Sequence, residues 1–113
     1  MSKLEDFGKN VARGVNSSNG KQEVFIDPAS IMGYIALVQE IVKIVKGCMT
    51  PEEVVQTAYN PGWNDTRRLH AAVRRKVGFV RHWFDGDKIV NSILKEAKNQ
   101  TVEDVQEMYY EVK

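Results

Sequence analysis

The sequence predicts an all-α fold, a compact bundle of four to five short helices around a central apolar helix at about 28–46. Apolar residues recur at spacings of three and four through most of the chain. Thr50-Pro51-Glu52-Glu53 and Thr101-Val102-Glu103-Asp104 both read as helix starts, with a threonine cap and an acid three residues on to close a capping box. The one short β-like run, Val24-Phe25-Ile26, has no strand partner elsewhere in the sequence.

The elements follow in order. Leu4, Phe7, Val11 and Val15 predict a short amphipathic helix over 3–14, weakened by Gly8 and Gly14. Residues 16–22 are polar and read as a loop, and Val24-Phe25-Ile26 as an extended tether. Residues 1–26 are therefore expected to form an N-terminal helix and flexible tether, and 27–113 the helical bundle domain. Asp27-Pro28 opens the next helix, because aspartate caps well and proline suits the first helical position. Nine apolar residues from Ile31 to Val45 cover an arc of about 200° on that helix, enough to touch several partners. It stops at Gly47. The helix begun at Thr50 ends near Tyr59, and Asn60-Pro61-Gly62-Trp63 makes a turn. Asn64 or Asp65 is expected to cap the next helix, which runs to Phe84 and is ended by Asp85-Gly86-Asp87. Lys88 to Lys98 forms another helix, with Ile89, Val90, Ile93, Leu94 and Ala97 on one side. The last begins at Thr101. A faint echo between Thr50…Tyr59 and Thr101…Tyr110 fits a duplicated hairpin or simply two similar caps.

Charge is distributed unevenly. The net charge of the chain is +1, yet the nineteen residues Thr66–Phe84 carry six basic residues and no acid. Residues 1–65 have 6 basic and 8 acidic side chains, and residues 85–113 have 4 and 7. On a continuous helix, Arg67, Arg74 and Arg81 form one row and Arg68 and Arg75 a second. The five span about 140° opposite a stripe of Leu69, Val73, Val77, Val80 and Phe84. Gly78 falls within the arginine sector, as a kink or a point of close approach. Arginine presents a planar fork suited to phosphate or carboxylate, so five arginines against one lysine point to anion contacts.

Two partners fit that face. The first is nucleic acid, held through its phosphates by Arg67, Arg68, Arg74, Arg75 and Arg81 of a non-enzymatic binding protein. The second is an acidic protein surface, as in an assembly subunit or homo-oligomer. The acids Glu103, Asp104, Glu107 and Glu111, on the polar side of the last helix, are a candidate partner face in the same chain or a neighbouring copy. A helix-turn-helix reading, with Asn64, Thr66, Arg67 and Arg68 near base edges, is weaker, because the turn is long and the charge runs the length of the helix. Trp63, Phe79, Trp83, Phe84, Tyr109 and Tyr110 are expected mainly in the core, with base stacking as the alternative.

Other classes find little support. Cys48, His70 and His82 match no zinc spacing, Asp85-Gly86-Asp87 has too few acids for a calcium loop, and nothing pairs a nucleophile with a base. No metal, cofactor or catalytic residue is expected. The N-terminus lacks the apolar stretch of a secretory signal, and the uncharged run 28–39 is too short to span a membrane. A lone cysteine fits a reducing compartment. These features suit a small accessory protein of a phage or mobile element, in the cytoplasm or within a virion.

Overall fold

The computed structural model describes residues 2–18 and 28–112, and every regular element among them is helical. In chain order they are α1 (Lys3–Ser18), α2 (Pro28–Lys46), α3 (Pro51–Tyr59), α4 (Trp63–Val77), α5 (Phe79–Ala97) and α6 (Val102–Glu111). The chain is an all-α bundle, with six helices among the described residues where four to five were expected. The tether at Val24-Phe25-Ile26 and the Asp27 cap lie outside the described residues.

α1 continues four residues past its expected end. Its glycines serve packing. A Cβ at Gly8 would come 3.3 Å from the Ile35 Cα, and one at Gly14 would run into the Ser92 hydroxyl. That hydroxyl donates to the Val11 carbonyl at 2.8 Å, joining α1 to α5. Leu4, Phe7, Val11 and Val15 are buried as their spacing requires, together with Val38, Ile41, Val42 and Val45 of α2. α2 packs against α1, α4 and α6, and α5 against α1, α3 and α4.

Both capping boxes form. Thr50 Oγ1 accepts from the Glu53 N–H at 3.2 Å, and Glu53 Oε1 accepts from the Thr50 N–H at 3.0 Å. Thr101 and Asp104 repeat this at 3.1 and 3.0 Å. The far end of α6 is held by α2: Lys46 Nζ donates to the Tyr109 carbonyl at 2.8 Å, satisfying an acceptor that the helix end leaves open. The buried Tyr109 hydroxyl donates to the Met49 carbonyl at 3.1 Å, and its burial pushes its pKa above the ordinary tyrosine value.

The basic segment departs from the sequence reading. It is two helices, divided at Gly78, where the backbone takes φ 89° and ψ 165°. This region is open essentially only to glycine. Gly78 closes α4 by donating its N–H to the Arg74 carbonyl at 2.9 Å, and opens α5 by accepting from the His82 N–H at 3.0 Å. Asp85-Gly86-Asp87, the expected stop, lies inside α5, which runs unbroken to Ala97. The start of α4 differs as well. Gly62 in extended conformation precedes Trp63, in place of an Asn64 or Asp65 side-chain cap.

One consequence concerns the apolar stripe. Leu69 and Val73 are buried and Val77 packs against the core, but Val80 beyond the break is exposed. Phe79 and Trp83 are exposed beside it, contrary to the expectation that these aromatics belong to the core.

Replacing Gly78 by alanine is expected to cost about 1–3 kcal/mol of stability, the usual price of forcing a side chain into this backbone region. Urea unfolding measures it, and a D-alanine at the same position, introduced by chemical ligation, should cost much less. Equal losses for the two would mean that the backbone conformation is not the constraint.

Candidate functional site

α4 presents its cations in two rows, as the wheel required, but the rows face different surroundings. Trp63, Arg67 and Arg74 lie within about 40° of one another along the outer side. The Arg67 guanidinium sits over the Trp63 ring, 5.2 Å from its centroid. This is cation–π geometry, at a tryptophan that remains 75% exposed. Arg67 and Arg74 are exposed.

The second row, Arg68 and Arg75, turns toward α2. Arg68 Nη1 lies 3.2 Å from Glu53 Oε2 and 3.6 Å from Asp65 Oδ1, so it ties the start of α3 to α4. The Thr50 backbone N–H, helped by Arg68 and opposed by desolvation, holds the Glu53 carboxyl below the usual carboxylate range. Arg75 is exposed and lines a cleft of about 720 Å³ between α4 and the second half of α2. Four cations line this cleft, Lys43, Arg68, Arg75 and Lys76, against one acid, Glu40, which pairs with Lys76 at 3.4 Å. Ala71 and Ala72 of α4 line it as well, with Ile44, Gly47 and Cys48. Among the described residues, no ion pair engages Lys43, Arg67, Arg74 or Arg75.

Arg81 belongs to a different helix from the other four. It is carried by α5, beyond the reversal at Gly78, so the five arginines do not share one continuous helix. What α4 displays is four arginines, of which Arg68 is occupied by carboxylates of its own chain.

The acidic residues of α6 have other partners. Asp104 pairs with Lys3 at 2.8 Å and also closes its capping box. The lysine is the first cause that draws the Asp104 pKa down, and the Lys3 pKa is correspondingly raised. Glu111 Oε2 accepts from the Leu4 N–H at 2.9 Å, satisfying a donor at the start of α1. Glu103 and Glu107 are exposed. Among the described residues, no ion pair links α6 to the arginines of α4.

The reversal at Gly78 brings together two histidines that the sequence places twelve residues apart. His70 Nδ1 and His82 Nε2 lie 3.2 Å apart, with the rings perpendicular. Asp87 Oδ1 is 3.5 Å from His70 Nε2. One neutral arrangement satisfies all three groups: His70 Nε2–H faces Asp87, and His82 Nε2–H donates to His70 Nδ1. Gly86 makes room, since a Cβ there would fall 2.7 Å from the His82 ring. Burial holds the His70 pKa below its ordinary 6.5, with Asp87 opposing the shift and the neighbouring imidazole adding a smaller push in the same direction as burial. Among the described residues, no group of three or more metal-ligating side chains forms. The pair joins the two helices of the hairpin.

The cleft and the histidine pair were not visible in the sequence, because Lys43 and Arg75, or His70 and His82, meet only when helices pack. Trp63 did leave a signal. An aromatic residue four positions before an arginine on a helix is a contact pair. No family model matches the chain, and no characterised protein or solved structure is significantly similar to it.

A histidine whose pKa is lower in the folded than in the unfolded chain takes up its proton first in the unfolded state. Stability should therefore be full above pH 6.5 and decline as the pH falls through that value toward the folded pKa. Thermal melts between about pH 7.5 and 5.5 should show the decline, and His70→Asn should flatten it. An unchanged slope in the variant would assign the effect elsewhere.

Proposed function

We propose that the protein is a non-enzymatic nucleic-acid-binding protein that grips phosphates with α4. One observation carries this reading. Arg67, Arg74 and Arg75 are exposed along one helix, and none is engaged in an ion pair among the described residues. Like charges held close repel one another, so three guanidinium groups without a carboxylate partner, and an adjoining cationic cleft, stand ready for a polyanion. A chain of net charge +1 offers no general attraction for nucleic acid, which concentrates binding at this surface. Phosphate contact along a helix is sequence-tolerant, since phosphates carry no base identity.

A second reading is self-assembly, in which the arginines meet α6 of another copy. It is favoured by Glu103 and Glu107, which are exposed and unpaired with α4 in their own chain. A rise in mass with concentration, measured by light scattering and reversed by Glu107→Arg, would support it.

Binding of a fluorescently labelled oligonucleotide tests the first reading. Neutralising about four phosphates predicts that affinity falls on the order of a hundredfold between about 50 and 200 mM salt. Arg74→Glu with Arg75→Glu should weaken binding at least tenfold and leave thermal stability nearly unchanged, because neither side chain has a partner to lose. Arg68→Ala should instead loosen the α3–α4 contact and lower stability. Absence of binding to both DNA and RNA at low ionic strength would refute the reading.

A further inference from the structure

Taking the phosphate-gripping reading as its basis, we infer that the ligand is single-stranded nucleic acid, with its backbone in the α2–α4 cleft and a base stacked on Trp63. Three features lead there. The cleft is a trough between two packed helices, whose axes sit roughly 8–10 Å apart in such contacts, too narrow to admit a double helix. Along such a trough a single backbone meets Lys43 and Arg75, with Lys76 and its partner Glu40 beside them. A duplex would touch only the outer row, Arg67 and Arg74.

Next, an aromatic platform stands at the N-terminal end of α4, on the outer row beside the cleft. Arg68 lines the cleft, and Trp63, five residues earlier, lies about 140° around the helix from it, so a strand leaving the cleft crosses the first turns of α4 to reach the indole. From Arg75 to Trp63 the helix rises about 18 Å, the length of roughly five stacked nucleotides or fewer stretched ones. Trp63 is 75% exposed at the first position of α4, so its indole is open to a ligand. Arg67 already covers one side of the ring and holds its orientation, which leaves the rest of the indole for a base.

Finally, a cationic groove combined with an exposed aromatic is the arrangement that binds single strands without regard to sequence. Every base has a π-face, whereas a paired base keeps its own within the stack. Trp63 therefore contributes to single-strand affinity and nothing to duplex affinity.

Tryptophan emission tests this directly. Trp83 is also exposed, so the experiment uses Trp83→Phe protein, in which Trp63 is the reporter. A twelve-nucleotide homopolymer single strand should quench the emission and bind at least tenfold more tightly than a duplex of the same length. By anisotropy, Trp63→Ala should lower single-strand affinity about tenfold, Trp63→Phe should restore most of it, and duplex affinity should not change. Thermal melts of both variants should match the parent, as expected for an exposed side chain. Equal affinity for the two forms, or binding without quenching, would overturn the single-strand inference and leave the phosphate reading intact. Failure of both forms to bind would overturn the phosphate reading itself, and this inference with it.

Discussion

At Gly78 the chain turns from α4 into α5 through one residue, which caps both helices at once, donating its N–H to Arg74 and accepting from His82. Much of what distinguishes this surface depends on that reversal. It folds α5 back on α4, sets His82 against His70, and puts Arg81 on a different helix from the arginines that precede it. It also leaves Phe79, Val80 and Trp83 exposed at the start of α5. A helix continued through this point would have kept Leu69, Val73, Val77, Val80 and Phe84 on one stripe. The positive φ redirects the chain after Val77.

The basic surface is ordered by what each cation has available. Arg68 has carboxylates within reach and becomes a tie between α3 and α4. Lys76 meets Glu40 across the cleft. Arg67 has an indole beneath it. Arg74 and Arg75 have no such partner among the described residues. The α6 acids that could have competed for them are partly spent on α1, where Asp104 holds Lys3 and Glu111 caps the Leu4 N–H. The local excess of positive charge in the sequence thus persists in the folded chain.

Two kinds of signal were legible in the residues alone. Capping boxes depend on four consecutive positions, so Thr50–Glu53 and Thr101–Asp104 announced α3 and α6 correctly. Burial at helical spacing depends on a single face, so Leu4, Phe7, Val11, Val15, Ile41, Ile89, Val90 and Val105 could be placed in the core. Glycine was misread in both directions. Gly14 resembles a weak point in a helix and Gly86 part of a stop, yet each sits inside a helix where a neighbouring side chain needs the space of its missing Cβ. Gly78, which reads as a kink or a point of close approach within one helix, is the stop. The difference lies in φ and in what packs nearby, and neither is written in local sequence.

What the sequence determined by itself was the all-helical class, most of the core positions and the concentration of arginine on one segment. Those properties arise from interactions within a few residues along the chain or from composition. Tertiary structure decided which arginines remain free, that a cationic cleft opens between α2 and α4, that two distant histidines touch, and that Trp63 stays outside the core. Each of these depends on the relative placement of helices. That placement is set by the summed packing of many side chains, so no single stretch of residues contains it.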